Sequence, residues 1–91
     1  MDAQRLRDQA QEGLILLKDA ILQLLAGRPQ GLSNAEIARI LALHSDYKGA
    51  QKDYLTWSVL GVLLTEGKIV RLGRRFFFLA PSPKGETYEQ V

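Results

Sequence analysis

Four cations stand within eight residues of one another, at Lys68, Arg71, Arg74 and Arg75, and residues 68–79 contain no acid. Lys and Arg gathered in this way neutralise phosphates, so the segment points to a polyanionic partner. The net charge of +2 says less, because it is unevenly spread: −1 over residues 1–27, +2 over 28–52, −2 over 53–67 and +4 over 68–79. A second set of polar groups lies between Lys48 and Ser58. Lys48 and Lys52 could add phosphate contacts, while Gln51, Tyr54, Thr56 and Ser58 carry amide and hydroxyl groups able to meet base edges.

Other chemistry is poorly served. His44-Ser45-Asp46 holds the three residue types of a nucleophilic triad. Consecutive residues cannot form the nucleophile–base–orienter chain, which needs approach from separate parts of a fold. With one histidine and no cysteine, the sequence offers no transition-metal ligand set and no thiol nucleophile. No glycine-rich phosphate loop is present. The expectation is a non-enzymatic protein without cofactor or metal. The start, MDAQRLRDQAQEG, is polar rather than secretory, and no apolar run nears the roughly 20 residues that span a bilayer. A cytoplasmic protein is expected, with no membrane partner.

Ninety-one residues suffice for one domain with a single modest core. Residues 3–26 read as one helix, with Leu6, Ala10, Leu14, Leu17, Ile21 and Leu24 on one face. Gly27, in the C′ role, and Pro29 end it. Ser33-Asn34-Ala35-Glu36 is a capping box opening a helix to about Leu43, with Ile37, Ile40 and Leu41 inward and Arg39 outward. His44 to Gln51 reads as a turn or loop. A third helix covers about Lys52 to Glu66 and stops at Gly67. Thr56, Leu60, Leu63 and Gly67 point to its core side, leaving Trp57, Gly61 and Val62 outside. Residues 68–72 and 75–79 are β-branched and aromatic runs about a Gly-Arg turn, hence a hairpin. A two-residue Gly73-Arg74 loop would set Arg71 opposite Phe76 and Ile69 opposite Phe78. Residues 80–91, rich in Pro and Gly at their start, read as a flexible tail.

The order of long helix, short strand, capped helix, turn, helix and basic hairpin resembles the winged helix-turn-helix family. The resemblance rests on Gly31-Leu32-Ser33-Asn34-Ala35-Glu36-Ile37-Ala38-Arg39-Ile40-Leu41-Ala42-Leu43, on Leu60 and Leu63, on Glu66-Gly67-Lys68-Ile69-Val70, and on Gly73-Arg74-Arg75. It covers roughly residues 18–79. It implies an α+β, mainly α fold: a winged helix-turn-helix with a long N-terminal helix and a C-terminal β-hairpin wing. Residues 1–79 would be one domain. It also implies a transcriptional regulator that binds double-stranded DNA with its third helix in the major groove and the wing along the backbone.

Two departures stand out. Leu43 and Gly67 are 24 positions apart, about eight more than the resemblance implies. The surplus, within HSDYKGAQK, is expected to lie in the turn or to extend the third helix at its N-terminus, where Lys48, Gln51 and Lys52 would meet phosphate. Further, no Lys or Arg lies between Lys52 and Lys68. The apolar third helix could therefore instead be a protein interface anchored by Trp57 and Tyr54. Finally, a 24-residue helix spans about 36 Å, more than a domain this small can cover. Residues 1–27 are thus expected to dimerise the chain through Leu6, Ala10, Leu14 and Leu17, giving a homodimer suited to a palindromic site.

Overall fold

A computed structural model of the chain describes residues 2–44, 46–47, 50–51, 53–73 and 76–81, with backbone alone at 46, 47, 50 and 51. Helix α1 (Ala3–Ala26) is followed by β1 (Leu32–Ser33), α2 (Asn34–Ile40), β2 (Asp46–Tyr47), β3 (Ala50–Gln51), α3 (Tyr54–Thr65), β4 (Ile69–Leu72) and β5 (Phe76–Leu79). The fold is α+β and mainly helical. Its main sheet is antiparallel, in the order β1–β5–β4.

Helix α1 has the bounds its periodicity predicts. Asp2 caps it by accepting the Gln4 amide. Gly27 does not take the left-handed role expected of it: its φ is −93°, and the left-handed residue is Gly31, at +82°. The chain leaves α1 through a turn in which Gly31 N–H donates to the Arg28 carbonyl. The capping box is formed on both sides. Glu36 N–H donates to Ser33 Oγ, and Ser33 N–H to Glu36 Oε1.

Helix α2 ends at Ile40, three residues sooner than expected. Ala42 turns to φ +58°, Ala42 N–H donates to the Arg39 carbonyl and Leu43 N–H to that of Ala38. This is a Schellman closure with alanine where glycine is usual. The early stop exposes Ile40, which was expected to be buried, while Leu41 is half-buried and Ala38 joins Ile37 inside. A left-handed alanine costs about 1–2 kcal/mol that glycine avoids. Ala42→Gly is therefore expected to raise unfolding stability by about 1 kcal/mol in a denaturant titration. An unchanged or lower stability would contradict the closure.

The surplus residues do not lengthen α3. They form a second, two-stranded ladder in which Asp46 pairs with Gln51 and Tyr47 with Ala50. Helix α3 closes as the sequence predicts, with Gly67 at φ +74° and Lys68 N–H donating to the Leu63 carbonyl. In the hairpin Leu72 pairs with Phe76, Arg71 with Phe77, Val70 with Phe78 and Ile69 with Leu79. That is one residue away from the expected register, in which Arg71 would face Phe76.

The core joins Ile21 and Leu25 of α1, Leu32 of β1, Ile37 of α2, Val59, Leu60 and Leu63 of α3, Ile69 of β4 and Phe77 of β5. Alternation along β5 buries Phe77 and leaves Phe76 exposed. Only the second half of α1 is used: Leu14, Leu17, Leu22 and Leu24 pack on the core, whereas residues 2–13 are all exposed. Lys18 pairs with Glu66 at 2.8 Å and ties α1 to the end of α3. Among the described residues no helix is long and apolar enough to cross a membrane.

Candidate nucleic-acid interface

Helix α3 buries Thr56, Val59, Leu60 and Leu63 against the rest of the domain. With 100° per residue, the line farthest from these is Tyr54, Ser58, Gly61 and Thr65, at i, i+4, i+7 and i+11, and all four are exposed. The helix reads as apolar all round in sequence, yet its outermost line carries three hydroxyl-bearing residues and a glycine. Thr65 Oγ1 donates to the Gly61 carbonyl at 3.0 Å, which leaves its oxygen lone pairs outward. Residues 54–65 contain no acid, so nothing on this line repels phosphate.

The two flanks differ. On one side stands Trp57, which is 48% exposed and meets the Phe77 ring edge-on at 6.2 Å between centroids. The Arg71 guanidinium lies over both rings, 5.2 Å from Trp57 and 5.6 Å from Phe77. Such cation–π contact holds a charge while leaving its outer side in solvent. Trp57, Leu60, Gly61, Leu64, Arg71 and Phe77 surround a shallow cleft of about 90 Å³ where α3 meets the hairpin. Leu55 and Val62 form the other flank, both exposed.

Several residues singled out from the sequence fall differently. Thr56 is fully buried, so its hydroxyl is withdrawn from any base edge. Its Oγ1 has no partner, nor have the buried Oδ1 atoms of Asn34 at the start of α2 and of Asp53 at the start of α3. Gln51 stands on β3 rather than on α3, in the register of Asp46. Lys48, Lys52, Arg74 and Arg75 lie outside the described residues, as does Ser45. Gly67, expected to face the core, is exposed. Tyr54, Ser58 and Arg71 come together on one surface.

The α3 N-terminus itself is less suited to phosphate than expected. Its capping position is Asp53, whose carboxylate makes no bond to the helix amides but places a negative charge at the positive end of the dipole. Asn34 Nδ2 donates to the Asp53 carbonyl at 3.3 Å and fixes that corner to α2. Arg71, on the hairpin side, is a cation that the structure places beside α3. Sequence reasoning placed Gly61 outside, as the structure has it, and overlooked Thr65 as a member of the outer line. The i+4, i+7, i+11 spacing from Tyr54 was the available signal, obscured by the apolar residues around it.

The chain matches no family model, no curated protein and no solved structure.

Proposed function

We propose that this chain is a winged helix-turn-helix module that binds double-stranded DNA, serving as a small non-enzymatic transcriptional regulator. The element order and the β1–β5–β4 sheet support the winged reading, with β4–β5 as the wing. One observation carries the DNA reading: Arg71 is held against the side of an exposed, acid-free helix line of Tyr54, Ser58, Gly61 and Thr65. Such a line suits a major groove. Hydroxyls donate or accept at base edges, and a glycine lets backbone approach closely. Lys68 and Arg71, together with Lys48, Lys52, Arg74 and Arg75 of the sequence, supply the phosphate contacts. These position the helix and supply most of the affinity without selecting sequence.

The test uses Trp57, the single tryptophan of the chain, which sits beside the line. Mixed-sequence duplex DNA is titrated at about 50 mM and 200 mM salt while Trp57 emission is followed. The expected result is a change in emission with affinity falling steeply with salt, at a slope near −0.9 per neutralised phosphate and about −4 or more in total. Arg74→Ala with Arg75→Ala should lower affinity for all sequences alike and flatten the slope by about 2. Absence of binding at the lower salt defeats the reading.

A second reading is favoured by Leu55 and Val62, at 48% and 36% exposure on the flank away from the hairpin. There α3 would be a protein-binding face with Tyr54 and Trp57 as anchors. It predicts no salt-dependent binding to duplex DNA.

A further inference from the structure

The domain takes up one side of α1, through Leu14, Leu17, Ile21, Leu24 and Leu25. Leu14 and Leu17 of the expected dimer surface are half-buried against the core of their own chain. A neighbouring line remains: Leu6, Gln9, Gly13, Leu16 and Ala20, in 3-4-3-4 spacing. Leu6 is 38% and Leu16 65% exposed, and Gln9 and Gly13 are exposed beside them. This is the repeat of a two-helix seam. Gly13 adds a second sign. A mid-helix glycine costs about 1 kcal/mol relative to alanine, yet a Cβ at Gly13 would meet nothing within 4 Å in the domain. The isolated chain has no steric need for it.

We propose that this line pairs antiparallel with the same line of a second copy of the chain. The residues select the register. Setting Leu6 opposite the partner's Leu16 also sets Gln9 opposite the partner's Gly13, so large groups meet large and the long amide meets the residue without a side chain. On one flank this register brings Arg5 to the partner's Asp19, twice by symmetry. Neither side chain has a hydrogen-bond or ion-pair partner within its own chain among the described residues. On the other flank Ala10 meets the partner's Ala10 at the two-fold axis, which lets the helices approach closely. A parallel pair would instead place Gln9 on Gln9 and Gly13 on Gly13, and would face Arg5 with alanine and Glu12 with leucine. The charges and sizes favour the antiparallel arrangement. One repulsive pair remains, Glu12 with the partner's Glu12.

The domain-facing line lies on the Ala10 flank in both copies, so both domains stand on the same side of the helix pair. The level of Ile21 in one copy is that of the start of α1 in the other, which separates the two domains by about 30 Å along the axis. This is close to the roughly 34 Å between major-groove half-sites on one face of DNA. That consequence rests on the DNA reading above; the self-association does not.

Sedimentation equilibrium on the full chain at about 5–200 µM is the test, a range that reports weak and moderate dimers. A dimer is expected. Leu16→Glu, at a position exposed in the single chain, should raise its dissociation constant at least about 100-fold, because the change enters the interface twice, with helical circular dichroism unchanged. Glu12→Gln should tighten it by about 3- to 10-fold by removing the like-charge pair. The chain has no cysteine, so Ala10→Cys reports geometry directly. A short bismaleimide should link it to the partner's copy, whereas Ala3→Cys, about 24 Å from its own counterpart, should not link. Monomer throughout, a dimer indifferent to Leu16→Glu, or equal linking at positions 3 and 10 would each overturn the proposal. Loss of DNA binding with the dimer intact would overturn only the function proposed above.

Discussion

Replacing Gly61 with glutamate is expected to weaken duplex DNA binding by at least about 100-fold while leaving the domain folded and its α3 helix more stable. Each tenfold loss is about 1.4 kcal/mol, so the change must remove close to 3 kcal/mol. Two terms supply it. A side chain at the centre of the outer line lifts α3 away from the groove floor and forfeits neighbouring hydroxyl contacts, where a good contact is worth about 1–3 kcal/mol. A carboxylate at that place also faces the phosphates on both sides. The fold itself gives no reason for glycine. No heavy atom lies within 4 Å of a Cβ built there, and Gly61 has no positive φ. Gly61→Ala should therefore raise stability by about 0.5–1 kcal/mol and serves as the control. Stability is read by urea titration and binding by Trp57 emission. A glutamate variant that binds DNA as tightly as the parent would take α3 out of the groove.

Gly13 and Gly61 share this property. They are the two glycines inside helices, both are exposed, and neither is required by the packing around it. Each lies on a face for which a separate partner is proposed, DNA for α3 and a second copy for α1. Three turn glycines behave oppositely: Gly31, Gly67 and Gly73 take the left-handed backbone their turns need.

Local signals in the sequence carried much of the fold. The bounds of α1, the Ser33–Glu36 capping box and the Gly67 stop all follow from interactions within a few residues, and the structure has them as read. The misreadings arise where the deciding contact is distant or the residue atypical. Alanine at position 42 gives no warning of a left-handed closure, so α2 reads too long. Strands of two residues show no alternation, so the β2–β3 ladder reads as loop. The Gly-Arg pair suggests a two-residue turn, whereas the strands pair with Leu72 opposite Phe76, so the register slips by one. Periodicity finds a stripe on α1 but cannot tell which part its own domain covers. On α3, where nearly every side is apolar, it finds the core side at Thr56, Leu60 and Leu63 and the exposure of Trp57, Gly61 and Val62, but it misplaces Gly67. Only burial separates Thr56 from Ser58, and with it a core hydroxyl from an exposed one.

Besides β1 pairing and the core residues Ile69 and Phe77, the hairpin meets the body of the domain closely at Gly31, and Gly31→Ala tests that contact. A Cβ at Gly31 would stand 2.5, 2.6 and 2.9 Å from three ring atoms of Phe78 on β5. The ring must swing away, and Phe78 is flanked by Phe77, the aromatic of the core that pairs with Leu32 across β1 and β5. The residue also sits at φ +82°, which costs alanine about 1–2 kcal/mol by itself. Adding displacement of a half-buried ring, the loss should be roughly 2–4 kcal/mol, as for other strained or overpacked sites. In a domain of this size that lowers the melting midpoint by about 10–25 °C. Gly73→Ala separates the two causes. Gly73 has a similar φ of +69° but open space where its Cβ would lie. It should lose only the backbone part, about 1–2 kcal/mol. Phe78→Leu in the Gly31→Ala background should recover part of the difference by making room. Equal losses for Gly31→Ala and Gly73→Ala would mean that the ring contact adds nothing to the hold on the hairpin, and that the placement of Arg71 beside α3 rests on the β1–β5 pairing, the core residues Ile69 and Phe77, and the Trp57 ring.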